Sequence, residues 1–198
     1  MIPTEIREPF HRDGWVYEEK VDGWRILAHK DGDRVWLFSR SNVDHARRFR
    51  EIAAAVAAMS FTTLVLDGEV AIFDEQLRSR FDWLRHHPTN DVATPPIYIA
   101  FDALYRDGED LTALPLSAWR IHLEDIIAGG RVVLPARRLA DNGLDAWAQV
   151  LGNGYEGYVA KDRTSPYRGG ITRSWLKVKV PGWTDPQDKF KRVRLAPP

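Results

Sequence analysis

A chain of 198 residues, 44% of them hydrophobic and eight of them Trp, can bury the core of one large domain or two small ones, and with no run of eighteen apolar residues it offers no membrane span. Cysteine is absent, which excludes disulfides and thiolate zinc sites, and Met1–Phe10 lacks the apolar stretch of a secretory signal, so the expected location is cytoplasmic. The 28 basic and 28 acidic residues cancel, so bulk charge does not announce a nucleic-acid partner, and any basic face has to be assembled by folding.

In chain order, Trp15–Lys20, Arg25–Lys30 and Val35–Phe38 read as strands, the last two joined by a turn at Asp31-Gly32. A helix is expected over about Asp44–Met59, where Ala46, Phe49, Ile52, Ala53, Val56 and Ala57 fall on one face. Thr63–Leu66 and Glu69–Phe73 read as strands around a turn at Asp67-Gly68. Phe81–Arg85 reads as a short helix, Pro88–Pro96 as a loop, and Ile97–Leu104 as a strand before a turn at Asp107-Gly108. Leu116–Ala128 reads as a helix ended by Gly129-Gly130, followed by a strand at Arg131–Leu134 and a helix at Leu144–Leu151. Gly157–Asp162 and Ser174–Val180 are the last strands, broken by Pro181-Gly182. Strands joined by tight turns, without regular βαβ alternation, predict an α+β fold with mostly antiparallel sheets.

Several motifs carry no chemistry. Gly152-Asn-Gly-Tyr-Glu-Gly157 satisfies G-x-G-x-x-G, but a helix precedes it and a strand follows, the reverse of a dinucleotide site, so it reads as a helix-ending loop. There is no P-loop, and His86-His87 suits a helix C-terminus better than a metal site. Asp-Gly, the commonest hairpin signal, occurs five times, so Lys20-Val-Asp22-Gly23-Trp-Arg25 is weak evidence on its own. Its chemistry is still pointed: a Lys at a strand end can project into a cleft and act as a nucleophile once its surroundings lower its pKa. Further along, Leu66-Asp67-Gly68-Glu69 supplies a carboxylate, Phe101-Asp102 an aromatic and an acid, and Glu156-Gly157-Tyr-Val-Ala-Lys161 a carboxylate and an amine. In Trp175-Leu-Lys177-Val-Lys179 two Lys stand at i and i+2, on one face of a strand. A triphosphate would relieve their repulsion, while a solvent-facing amphipathic strand would also account for them. Lys189, Lys191, Arg192 and Arg194 crowd the tail, as a solvated terminus or as a DNA contact.

Together, in this order, these segments resemble the covalent nucleotidyltransferase superfamily, and within it the ATP-dependent DNA ligases. The resemblance rests on Lys20, Asp22, Gly23 and Arg25; on Ser39-Arg40; on Asp67–Glu69; on Phe101-Asp102; on Glu156, Gly157 and Lys161; and on Trp175–Lys179. It runs from about Trp15 to Val180. It implies an α+β core of two mostly antiparallel sheets with flanking helices around a nucleotide cleft, of the nucleotidyltransferase or ATP-grasp-like ligase kind. It implies that Lys20 attacks the α-phosphate of ATP to form lysyl-AMP, with Lys177 and Lys179 gripping phosphates. Glu18 would lie beside the adenine and Phe101 stack on it. Arg25 and Glu69 would hold the ribose and phosphate region, Lys161 would complete the cofactor site, and Arg40 would meet the 5′-phosphate of a nick. Glu156, with Glu69, would bind Mg²⁺ (or Mn²⁺). The implied partner is nicked double-stranded DNA.

Such ligases usually carry a C-terminal OB-fold domain. About eighteen residues follow Val180, too few for that five-stranded barrel, so the expectation is an adenylation domain at 1–182, a basic tail at 183–198 and no OB domain. The chain would then be a naturally minimal enzyme, a fragment, or a component needing a partner protein that supplies an OB-like clamp, with no membrane involved. Alternative readings are an RNA ligase, a capping enzyme, or a non-catalytic nucleotide- or DNA-binding module. An NAD-dependent ligase fits poorly, because its additional N-terminal domain and Cys-rich zinc site are missing.

Overall fold

The computed structural model describes residues 1–85 and 94–183. His86-His87, most of the expected Pro88–Pro96 loop and the basic segment from Lys189 to Arg194 lie outside the described residues. The chain runs through β1 (Ile2–Ile6), β2 (Trp15–Glu19), β3 (Trp24–Asp31), β4 (Arg34–Ser39), α1 (Arg50–Ala57), β5 (Thr63–Ala71) and a 3₁₀ turn at Phe81–Leu84. It continues through β6 (Ile97–Arg106), β7 (Glu109–Asp110), α2 (Leu116–Ile126), β8 (Val133–Pro135), α3 (Gly143–Asn153), β9 (Gly157–Asp162) and β10 (Ile171–Lys179). A 4-stranded sheet has the order β1-β10-β9-β2, and a 6-stranded sheet the order β4-β3-β5-β6-β7, with β8 added on β6. All pairings are antiparallel except β1 with β10 and β6 with β8. This is the expected α+β architecture. No helix among the described residues is long and apolar enough to cross a membrane.

Each sheet buries one face under helices and turns the other toward its neighbour. In β3 the residues Ile26, Ala28 and Lys30 alternate inward, and Ile26 and Ala28 join Ile52 and Val56 of α1 in the main core. Lys30 is buried among apolar neighbours because its ammonium caps the end of α1: Nζ donates to Ala57 O at 2.7 Å and also to Met59 O. Trp119 and Leu123 of α2 enter the same core. On the smaller sheet, Tyr17, Tyr158, Ala160 and Val178 pack with Ala146 and Val150 of α3. Asn142 caps α3 by accepting from Leu144 N at 2.9 Å, and Gly154 ends it in the left-handed region at φ 68. The G-x-G-x-x-G segment is therefore a helix-ending loop, as expected.

Two local expectations fail, and one strand was not anticipated. Asp67-Gly68 is no turn: β5 runs unbroken through it, Asp67 pairing with Leu27 and Asp102, and Gly68 with Ile26 and Ala100. The glycine marks a close approach, since a Cβ there would meet Ile99 O at 2.5 Å and the Tyr98 ring at 2.6 Å. The helix expected from Asp44 begins at Arg50. Asp44 Oδ1 accepts from Leu37 N and Ala46 N, both at 2.9 Å, and this side-chain bonding holds the preceding segment as turns against β4. Finally, β1 had no local signal. Its extended state comes from β10, with Glu5 opposite Lys177.

Candidate active site

Strand register brings the motifs together. β2 pairs with β9 so that Glu18 lies opposite Val159, and beyond the strand end Lys20 N donates to Gly157 O at 3.0 Å. This sets the Lys20 side chain beside the residue before Gly157, and Lys20 Nζ lies 2.6 Å from Glu156 Oε2. On the other side of β9, Lys179 pairs with Gly157, which brings Lys179 Nζ to 3.0 Å from Glu156 Oε1. One buried carboxylate is thus held between two amines that are far apart in sequence. Lys177, one step back on the same face of β10, meets Glu5 of β1 at 3.1 Å. The chain after Lys20 must pass close under β5. A Cβ on Gly23 would lie 2.3 Å from Val70 O, so the glycine after Asp22 serves close backbone approach.

The larger sheet forms the facing wall. Arg25 lies directly opposite Glu69 across β3 and β5, and its guanidinium grips Asp67 with two bonds of 3.0 and 2.5 Å. Tyr167 adds a hydroxyl bond of 2.9 Å to the same carboxylate. Burial works to lower the Arg25 pKa, but the Asp67 bonds and charge outweigh it and hold Arg25 firmly cationic. Burial pushes Glu69 up to about 8, against the pull of Lys20 and Arg25 and with the repulsion of Glu156. Phe101 of β6 lines the cleft 5.5 Å from the Arg25 guanidinium.

Between the walls lies a cleft of about 890 Å³, within the usual range for a small-molecule site. Its floor is a buried chain of charges. Lys161 Nζ stands 2.9 Å from Glu18 Oε2 and 3.5 Å from Asp102 Oδ1, and 4.0 Å above the Trp175 ring. Glu18 Oε1 also accepts from Arg120 of α2, which bonds Glu124 at 3.0 Å and Ala136 O at 2.9 Å. Neither Asp102 oxygen has a hydrogen bond among the described residues, and burial pushes its carboxyl up despite Lys161.

All ten residues expected from the sequence occur in or against this one cleft. Glu18, Lys20, Arg25, Arg40, Glu69, Phe101, Lys161, Lys177 and Lys179 line it, and Glu156 lies behind Lys20 and Lys179. Two places refine the expectation. Lys161 is only 2% exposed and is engaged by carboxylates on both sides, so its charge is already paired within the cleft floor. Lys177 and Lys179 do share a face, and that face is the cleft wall, so the solvent-facing amphipathic strand does not apply. Arg120, Asp67, Asp102 and Tyr167 had no assigned role. Arg120 left one trace, a charge amid Leu116, Trp119 and Leu123 on a helix that needs an apolar stripe.

The donor set offers a divalent ion two carboxylates, Glu156 and Glu69. No cluster of three or more His, Cys, Asp or Glu side chains with metal-binding spacing occurs among the described residues. Mg²⁺ commonly takes one or two carboxylates together with substrate phosphates, and Glu156 and Glu69 sit close enough to repel each other electrostatically.

Comparison with known proteins points the same way. The ATP dependent DNA ligase domain family matches residues 2–179. The multifunctional non-homologous end joining protein LigD of Pseudomonas aeruginosa is 30% identical over 193 residues, covering 92% of this chain and 23% of that protein. A probable DNA ligase of Streptomyces griseus is 38% identical over 181 residues, covering 82% of this chain and 35% of that protein. Among solved structures, a mycobacterial DNA ligase D complexed with ATP superposes with a TM-score of 0.74 at 27% identity, covering 92% of this chain and 61% of the other. The ligase domain of Mycobacterium tuberculosis LigD gives 0.74 at 29% identity, covering 90% and 60%. The chain spans about a quarter to a third of the length of these curated relatives.

Proposed function

Because the chain belongs to the ATP dependent DNA ligase domain family, we propose that it adenylates itself on Lys20 and passes the AMP to the 5′-phosphate of nicked duplex DNA. The observation that carries this reading is the convergence of Lys20, Glu156 and Lys179 at one end of a cleft whose other walls carry Arg25, Glu69 and Phe101.

The deprotonated Lys20 amine attacks the α-phosphorus of ATP. A P–N bond forms, the bond to the bridging oxygen breaks, and pyrophosphate leaves with the electron pair. Lys20 must lose a proton to attack, and Glu156 Oε2 is within reach to accept it. Lys177 and Lys179 are placed to stabilise charge on the phosphates, and Arg25, held rigid by Asp67, to bind the ribose and phosphate region. Phe101 offers its ring face to the base. Glu156 and Glu69 would hold Mg²⁺, which when bound neutralises phosphate charge. In the second step a DNA 5′-phosphate oxygen displaces Lys20 from the phosphorus. In the third, the adjacent 3′-hydroxyl attacks and AMP leaves.

The DNA reading also draws on a basic lip. Arg40 and Arg85 are exposed and line the cleft beside Ser39, Ser41 and His45, so a chain of zero net charge still presents guanidinium groups at its opening. These two guanidinium groups support the DNA reading, since phosphate contacts carry most of the affinity for a duplex. Intact mass before and after ATP with Mg²⁺ tests the proposal. A gain of one AMP, acid-labile, absent in Lys20→Ala and discharged by nicked DNA, is expected. ATP binding without any gain would overturn it.

A further inference from the structure

We infer that Arg120 is a positioning residue for purine selection, acting through Glu18. The inference rests on the adenylation reading above and concerns a helix residue outside every motif that carried that reading.

Arg120 is 3% exposed, beneath the floor of the cleft. A guanidinium that deep is costly unless its donors are used. They are: it donates to Glu18 Oε1, to Glu124 Oε1 at 3.0 Å and to Ala136 O at 2.9 Å. It thereby ties α2 to β2 and to the segment after β8. The second oxygen of Glu18 takes Lys161 at 2.9 Å. The carboxylate is clamped by a cation on each side, and Lys161 is itself fixed between Asp102 and the Trp175 ring. Buried ion pairs of this sort are often no more stabilising than apolar residues of similar volume. Four charged side chains in and beneath the floor therefore call for a reason beyond stability.

Glu18 supplies one. It lines the same cleft as Phe101, two residues before Lys20 and on the same face of the chain. A carboxylate between two cations is acceptor-only, and its oxygens keep lone pairs beyond the two that the cations use. A purine 6-amino group donates to such an oxygen. A 6-oxo group presents an acceptor there and is repelled. A site built to accept a hydrogen bond discriminates strongly against a ligand that cannot donate it, provided the acceptor cannot swing away. Arg120 denies it that freedom, because rotating Glu18 toward an oxo-purine would break a buried pair on each side.

The test is the rate of lysyl-AMP formation on the full chain across ATP and GTP concentrations, for the parent, Arg120→Met and Arg120→Lys. Thermal melts establish folding. Arg120→Met should raise KM for ATP about tenfold, leave the rate at saturating ATP within about threefold, and erode the ATP-over-GTP preference by about tenfold. Arg120→Lys keeps the charge and the fold, but a single ammonium cannot replace the planar fork, so it should shift both quantities in the same direction by a smaller factor. If Arg120→Met does not fold, Arg120→Lys decides. A folded variant with the parent's KM and ATP:GTP ratio reduces Arg120 to scaffolding and overturns the inference. Absence of lysyl-AMP on the parent overturns the adenylation reading, and this inference with it, before any variant is compared.

Discussion

Glu156 Oε2 stands 2.6 Å from Lys20 Nζ, so the proposed nucleophile and a proposed metal ligand form one unit. The other oxygen takes Lys179 at 3.0 Å. Two amines on one buried carboxylate leave a net positive corner, which suits an incoming polyphosphate. Glu156→Gln removes the charge that organises both amines. Lysyl-AMP formation should fall at least about 100-fold, with the melting temperature changed little compared with a core truncation. Quantifying AMP incorporation by intact mass over time checks this, and a rate within a few-fold of the parent would remove Glu156 from the mechanism.

Phe101 offers its ring to the cleft without contributing a charge. Stacking of a base on an aromatic side chain is worth roughly 1–3 kcal/mol. Phe101→Ala should therefore raise KM for ATP by about tenfold or more and alter the rate at saturation much less. Phe101→Tyr should retain most of the parent's affinity. Nucleotide titration of the two variants separates stacking from a loss of fold.

The buried carboxylates make ligand-free stability depend on pH. Burial pushes Glu19 up to about 7, with Arg137 pulling the other way, and Glu69 to about 8, from 4.5 for both. A folded pKa above the unfolded value means the folded state binds the proton more tightly. The stabilisation is complete below pH 4.5 and is lost as the pH rises through 7 to 8. The melting temperature should fall between pH 5.5 and 8.5, and Glu19→Gln should flatten that fall. At roughly 1.36 kcal/mol per pKa unit, Glu19 contributes at most roughly 3–4 kcal/mol. A melting temperature that rises with pH, or one on which Glu19→Gln has no effect, would contradict this ionisation pattern.

Arg40 and Arg85 at the cleft opening should carry phosphate contacts. Arg40→Ala and Arg85→Ala, assayed on protein already carrying AMP, should each weaken nicked-duplex binding. Each should also lower the slope of log affinity against log salt by about one. Fluorescence anisotropy between low and moderate salt gives the slope, and an unchanged slope in both variants places the DNA surface elsewhere.

Much of the site was legible in the sequence because its chemistry is stored in short motifs. Lys20 with Asp22-Gly23, Glu156 with Gly157, and Lys177 with Lys179 each sit within a few residues, and i, i+2 spacing on a strand already assigns a common face. The α+β class followed from strand periodicity and glycine-rich turns. Asp67-Gly68 misled, because a dipeptide's turn preference is a local tendency of a few tenths to about one kilocalorie, and pairing on both edges of β5 outweighs it. What only the tertiary structure decided is which distant charges meet. Ion pairs fall off over a few ångströms, so whether Arg120 serves Glu18, Lys161 serves Asp102, or Glu5 serves Lys177 depends on strand register and on where α2 docks. The residue types and their order were written along the chain. Their pairing was settled when two sheets, each with one face buried under helices, turned their remaining faces toward each other.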